Sequence, residues 1–313
     1  MIQKAQAWPQ KNLIIISQSP NIYMFLKELV RSVGWSVLKA TPSVVEAVNL
    51  LQQKQVFLVV IDDSIEEPAT SIMRQLMAHM VCFTTPVFAF VLDEHKFETK
   101  SLEVMGQVEV VGKPLTPSRF IPAFTKLIRR WETKPYTALR MSFYRYLDAG
   151  DSGQYIDWLQ KLLRVDALLH LAGPALAKVL LEEGQVQEAE KVLLNILKKD
   201  PKNLGSVLSL GDLYLSVALP HIALRLFLSA HKSFEPSSGI LPDIVQAEFM
   251  LCRIPKVLER LEEMRKNHYM IEKVNPMLAR IYISQGRIKE AENLMRDRKG
   301  LFLKMHKSWK LIS

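Results

Sequence analysis

The chain of 313 residues contains two cysteines, Cys82 and Cys252, and seven histidines. The cysteines form no Cys-x-x-Cys pair and neither sits beside a histidine at ligand spacing, which excludes a disulfide framework and a zinc thiolate centre. Both read as small buried apolar side chains. The histidines are scattered, without metal-site spacing or the Ser and Asp partners of a hydrolase, and there is no glycine-rich phosphate loop. No apolar run approaches the roughly 18 residues that cross a bilayer. The opening MIQKAQAWPQKN lacks the charged-then-apolar order of a secretion signal. These absences predict a cytoplasmic protein with no transmembrane segment, no cofactor, no metal and no enzymatic activity.

The formal charge of +9 is concentrated at one end. Between Arg296 and Ser313, six Lys or Arg face one acid, Asp297, so that stretch supplies +5 and the rest of the chain is nearly balanced. A nucleic-acid partner is therefore disfavoured. In the same tail Leu301, Met305, Trp309 and Ile312 share one helical face, as a helix capping the end of an array would. The rival reading makes the basic tail an anchor on nucleic acid or an anionic membrane.

An apolar content of 49% is enough for two ordinary cores. From Asn12 to Trp131, apolar strand runs alternate with helix-period stretches. LIIIS, SVLKA, VFLVVID, PVFAFVL and VEVVGKP are the strands, and the segments after them are helices. Five strands alternating with five helices predict a doubly wound parallel sheet whose functional edge is at the C-terminal strand ends. Lys134 precedes Pro135, which disfavours continuing a helix, so the boundary falls there: residues 1–133, then 134–313.

The order and lengths of these segments, with Gly34, Gly106 and the Lys113-Pro114 pair, resemble the receiver domain of two-component response regulators. The resemblance implies the flavodoxin-like, five-stranded topology. It also implies an acidic pair after the first strand that, with a phospho-accepting Asp, holds Mg²⁺. Ser17 and Gln18 stand at that pair, both neutral. Asp62 matches the acceptor, with Asp63 the alternative if the register slips by one. Val91 replaces the Ser or Thr that would bind phosphoryl, Val110 takes the aromatic switch position, and Lys113 is retained. Phosphoryl transfer depends on positioning and charge cancellation, so losing metal ligands predicts a degenerate, pseudo-receiver domain. Asp62 and Lys113 are then expected to form an ion pair across the strand ends. The alternative is a working phospho-switch at Asp62 with the following domain as output. In receivers the face around the fourth helix, last strand and fifth helix mediates pairing, which nominates it here for a homodimer or partner docking.

After residue 134 the chain reads as helix with internal repetition. Leu176-Ala177, Leu180, Gly184, Ala189, Leu193, Ile196 and Pro201 are echoed by Leu210-Gly211, Tyr214, Ala218, Ala223, Phe227, Ala230 and Pro236. Leu278-Ala279, Tyr282, Gly286, Ala291 and Met295 echo them again. The pattern resembles the tetratricopeptide repeat, a helical hairpin of about 34 residues. Residues 240–267 read as a degenerate repeat, and the stretch from Pro135 as a further hairpin turning at Gly150-Asp151. The resemblance implies an all-α solenoid whose concave groove is lined by first helices, nominating Lys178, Leu181, Glu182, Leu208, Asp212, Leu215, Arg280 and Ile283. The apolar members suggest a protein or peptide ligand in that groove. Together the two halves suggest a bacterial signalling adaptor.

Overall fold

The computed structural model describes residues 11–63, 69–92, 102, 107–233, 240–266 and 271–296. The fourth receiver helix, expected before Gly106, and the basic C-terminal tail lie outside them.

Five strands form one parallel sheet in the order β2-β1-β3-β4-β5: β1 (Asn12–Ile16), β2 (Ser36–Thr41), β3 (Leu58–Asp62), β4 (Val87–Val91) and β5 (Val108–Gly112). β1, β3 and β4 are buried at every residue. This is why they read as continuous apolar runs: a central parallel strand is covered on both faces. β2 is an edge strand, and half of its residues are exposed. The helix Pro117–Trp131 lies against the sheet through an aromatic cluster. Phe88 and Phe120 have centroids 5.2 Å apart, and Trp35 meets Phe124 edge-on at 5.3 Å. The helix Ala69–Met77 is shorter than its apolar spacing suggests; the chain tightens into a 3-10 turn over Met80–Thr84, whose five side chains are all buried.

Two residues, Glu132 and Thr133, separate the helix Pro117–Trp131 from the next, Lys134–Ala149. Beyond them the described chain is a row of five helical hairpins: Lys134–Ala149 with Ser152–Leu162, Leu169–Glu182 with Val186–Lys199, Leu204–Ser216 with Pro220–Ser233, Leu241–Met250 with Ile254–Lys266, and Ile271–Ser284 with Ile288–Leu294. Each hairpin turns on one residue of left-handed backbone: Gly150, Gly184, Ala218, Cys252 and Gly286, with φ between 54 and 76°. Each of these lies 34 residues after the one before it. The stretch read as a degenerate repeat therefore keeps the period, with Cys252 in the place of glycine; at this turn Cys252 is exposed, not buried as expected, while Cys82 is buried.

The small residues let paired helices approach. A Cβ on Gly211 would lie 2.1 Å from Phe227 Cζ, and one on Gly173 would lie 2.0 Å from Ile196 Cδ1. The large residue of the second helix thus fills the space the first leaves open. Buried side chains run without interruption from the sheet into the hairpins, forming one core.

Candidate functional site

At the C-terminal strand ends, Asp62 closes β3 and is buried. Ser17, just past β1, donates from Oγ to Asp62 Oδ2 at 2.6 Å and accepts from the Ser19 amide at 2.9 Å. Lys113 Nζ lies 2.7 Å from Asp62 Oδ1 and donates to the Asp63 carbonyl at 2.6 Å. Both carboxylate oxygens of Asp62 are thus engaged, one by a neutral hydroxyl and the other by a cation. A cavity of about 210 Å³ opens beside them, lined by Ser17, Gln18, Ser19, Pro42, Asp62 and Ile72.

Asp63 does something different. Its Oδ1 accepts from the Ala69 amide at 2.6 Å and its Oδ2 from the Leu92 amide at 3.2 Å, so it holds the start of the Ala69–Met77 helix to the end of β4. Burial pushes its carboxyl upward, opposed by these two amides and by the charge of Lys113. Of the two carboxylates, that of Asp62 is the one bonded to Ser17 and paired with Lys113. Gln18 is exposed, Val91 is buried at the end of β4, and Val110 is half-buried in β5.

This arrangement does not fit Mg²⁺. A magnesium site needs oxygen ligands carrying enough negative charge to offset dehydration. Here a serine hydroxyl and an exposed amide stand where carboxylates are needed, and a lysine ammonium occupies the remaining side of Asp62. Among the described residues no group of three or more His, Cys, Asp or Glu is placed to hold a metal.

A second site lies where the sheet unit meets the helical array, and sequence reasoning identified only part of it. Arg74, on the Ala69–Met77 helix, forms an ion pair with buried Asp243 and lies 3.9 Å from Asp212. Lys178 Nζ donates to the carbonyl of Ala78, and Lys273 Nζ lies 3.2 Å from Ser71 Oγ. Each of Lys178, Asp212, Asp243 and Lys273 lies on the first helix of its hairpin. The helix Leu169–Glu182 also packs on the 3-10 turn Met80–Thr84. At the root of the array Arg140 is fully buried: its guanidinium stacks 3.9 Å from the Phe57 ring centroid and donates to the Phe57 carbonyl at 2.7 Å. Burial pushes the Asp243 carboxyl up to about 7, the nearby Asp212 adding to this and Arg74 opposing it.

The expected open apolar groove is corrected by this geometry. Leu208, Leu215 and Ile283 are 1%, 8% and 3% exposed and belong to the core, while Leu181 is half-buried. Lys178 and Asp212 face the chain's own sheet unit. Glu182 and Arg280 are exposed. Arg74, Arg140, Asp243 and Lys273 were missed. One signal was available: Asp243 is an acid inside the otherwise apolar run ILPDIV, and a buried acid requires a cation.

No family model matches the chain, and no curated protein matches it. Among solved structures, a MamA fragment from Desulfovibrio magneticus RS-1 is similar at 16% identity, covering 56% of this chain and 96% of that one, with a TM-score of 0.42. TTC0263, described as a thermophilic TPR protein of Thermus thermophilus, is similar at 16% identity, covering 56% and 98%, with a TM-score of 0.38. The structure of Naa15/Naa10 bound to HypK-THB is similar at 20% identity, covering 54% of this chain and 25% of that one, with a TM-score of 0.40. Among the described residues no helix is long and apolar enough to cross a membrane.

Proposed function

We propose that the chain is a non-catalytic adaptor: a pseudo-receiver, residues 1–133, joined to a tetratricopeptide array, residues 134–313, that holds proteins together. The observation that carries this reading is the seating of the Ala69–Met77 helix against the array's first helices through Arg74, Asp243 and Asp212. The array already acts as a protein-binding surface within its own chain. The 34-residue spacing of the hairpin turns supports the tetratricopeptide assignment. The strand order supports the flavodoxin-like receiver assignment. The network of Ser17, Asp62 and Lys113 supports independence from phosphorylation, since a neutral hydroxyl and an ammonium engage the two oxygens of Asp62. The face of β5 and the Pro117–Trp131 helix remains the nominated surface for homodimer or partner docking, in a cytoplasmic bacterial signalling setting.

A second reading keeps Asp62 as a phospho-acceptor. It is favoured by Lys113 lying 2.7 Å from Asp62 and by the cavity beside it. Incubation with acetyl phosphate and Mg²⁺, followed by intact mass measurement, separates the two. The adaptor reading expects an unchanged mass; an adduct that disappears in Asp62→Asn selects the switch.

A further inference from the structure

Within the array each hairpin shields one side of the hairpin that follows. On Leu204–Ser216, Gly205 lies against the first helix of the hairpin before, where an added Cβ would meet Pro174 Cγ at 3.7 Å. Tyr214 donates to Glu190 on that hairpin's second helix at 2.7 Å. Ser206, Ser209 and Leu213 fall between Gly205 and Tyr214 in helical projection, while Gly211, turned to Phe227, lies on the opposite side. One repeat earlier the equivalent residues, Ala172, Ala175 and Val179, with Leu168 a turn before them, are each 0% exposed.

Among the described residues no hairpin precedes the first one, Lys134–Ala149 with Ser152–Leu162. The same places, 34 residues back, hold Lys134, Ala138, Met141 and Arg145, which follow i, i+4, i+7, i+11 along one stripe of the helix. Lys134 and Arg145 are exposed, and Ala138 and Met141 are half-buried. The helix before them, Pro117–Trp131, turns Phe120 and Phe124 to the sheet unit. Beside the stripe stands half-buried Trp158 of the second helix, with Arg145 Cζ 5.7 Å and Lys161 Nζ 5.4 Å from its ring centroid. Among the described residues no carboxylate pairs with Lys134, Arg145 or Lys161. Asp148, the one acid of Lys134–Ala149, is bound to Lys54.

We propose that this end of the array seats an acidic amphipathic helix of a partner protein, its apolar side on Ala138, Met141 and Trp158 and its carboxylates on Lys134, Arg145 and Lys161. The inference rests on the adaptor reading and adds to it a surface at the array's end, apart from the first-helix residues that hold the sheet unit. The occupant is a helix because a helical hairpin covers the equivalent stripe one repeat further on. It is acidic because three cations frame the apolar patch and the acid nearest Arg145 on its helix is already paired with Lys54. A second copy of the stripe would set like charges against one another.

The test uses the full chain and two fluorescein-labelled peptides of about 16 residues, long enough to adopt helix on binding. Both carry a leucine stripe, flanked by Glu in one and by Lys in the other, and are read by fluorescence anisotropy. The acidic peptide should bind about tenfold more tightly than the basic one, and Met141→Ser should weaken it about tenfold. The double variant Arg145→Glu with Lys161→Glu should reverse the preference between the peptides. Both of those side chains are exposed, so its circular dichroism melt should match the wild type. Phe249→Ser, at an exposed apolar residue of the fourth hairpin, should change nothing. Equal binding of both peptides, no saturable binding of the acidic one, or binding lost in Phe249→Ser and kept in the charge variant would overturn the proposal. So would about tenfold tighter binding by a chain starting at residue 11, which would make the opening residues the occupant. A dimer that dissociates in the charge variant would make it a second copy instead. Single-stranded DNA of about 12 nucleotides, bound as tightly as the acidic peptide and released by the charge variant, would make it nucleic acid. Failure of the adaptor reading would show separately, as the Asp62 adduct in the mass measurement, which the peptide signal does not touch.

Discussion

Arg74 and Asp243 lie 169 residues apart in the chain and meet as an ion pair between the sheet unit and the helical array. Asp243 is 5% exposed at its side chain and Arg74 19%, so neither charge is well hydrated without the other. A buried pair adds modest net stability, but breaking it is costly because it leaves one charge without a partner.

Arg74→Met should therefore destabilise the protein by about 3 kcal/mol in urea unfolding, with Asp243 left buried and unpaired. The double variant Arg74→Met with Asp243→Leu should recover much of that loss, since two apolar groups can replace a buried ion pair. Additive effects of the two changes would show that the residues do not act together.

The pH dependence follows from the upward shift of Asp243 to about 7, caused first by burial. Between the ordinary carboxylate value near 4 and about 7, the folded chain binds a proton that the unfolded chain has released. This group's contribution to stability therefore falls as pH rises through that window and is level above it. The wild-type melting temperature should decline from pH 5 to pH 7 more steeply than that of Asp243→Asn. Parallel curves for the two proteins would mean that Asp243 does not titrate there.

Two hairpin turns carry a side chain where the backbone is left-handed: Ala218 at φ 58° and Cys252 at φ 54°. An L side chain is disfavoured there, and glycine is not. Ala218→Gly and Cys252→Gly should each stabilise the array by about 1 kcal/mol in thermal unfolding. Gly184→Ala, at φ 74° in the equivalent turn, should destabilise it by a similar amount.

The extent to which the sequence revealed this structure depended on whether the relevant forces were local. Runs such as LVVID and VFAFV announce central strands because burial on both faces removes any polar alternation. Gly184 and Gly286 mark turns because glycine enters the left-handed region without strain, and Gly211 marks a close helix contact because a Cβ there would collide with Phe227. Cys252 hid its turn because residue type gives no signal for the left-handed backbone found there. Leu208, Leu215 and Ile283 were apolar and fell at groove positions, but periodicity cannot distinguish a solvent-facing position from one packed into the core. Asp62 and Lys113 could be paired from their places at the strand ends. Arg74 and Asp243 could not, because their meeting depends on how two separately patterned halves come together.

That meeting is tested most directly by amide hydrogen exchange of the helix Ala69–Met77 and the turn Met80–Thr84, comparing the wild type with a double variant, Arg74→Met and Lys178→Met. If the sheet unit is held against the array's first helices by these contacts, exchange in both segments should rise about tenfold or more while β1 and β3 keep their protection. Unchanged exchange in the two segments, or an equal rise across every strand and helix, would contradict it.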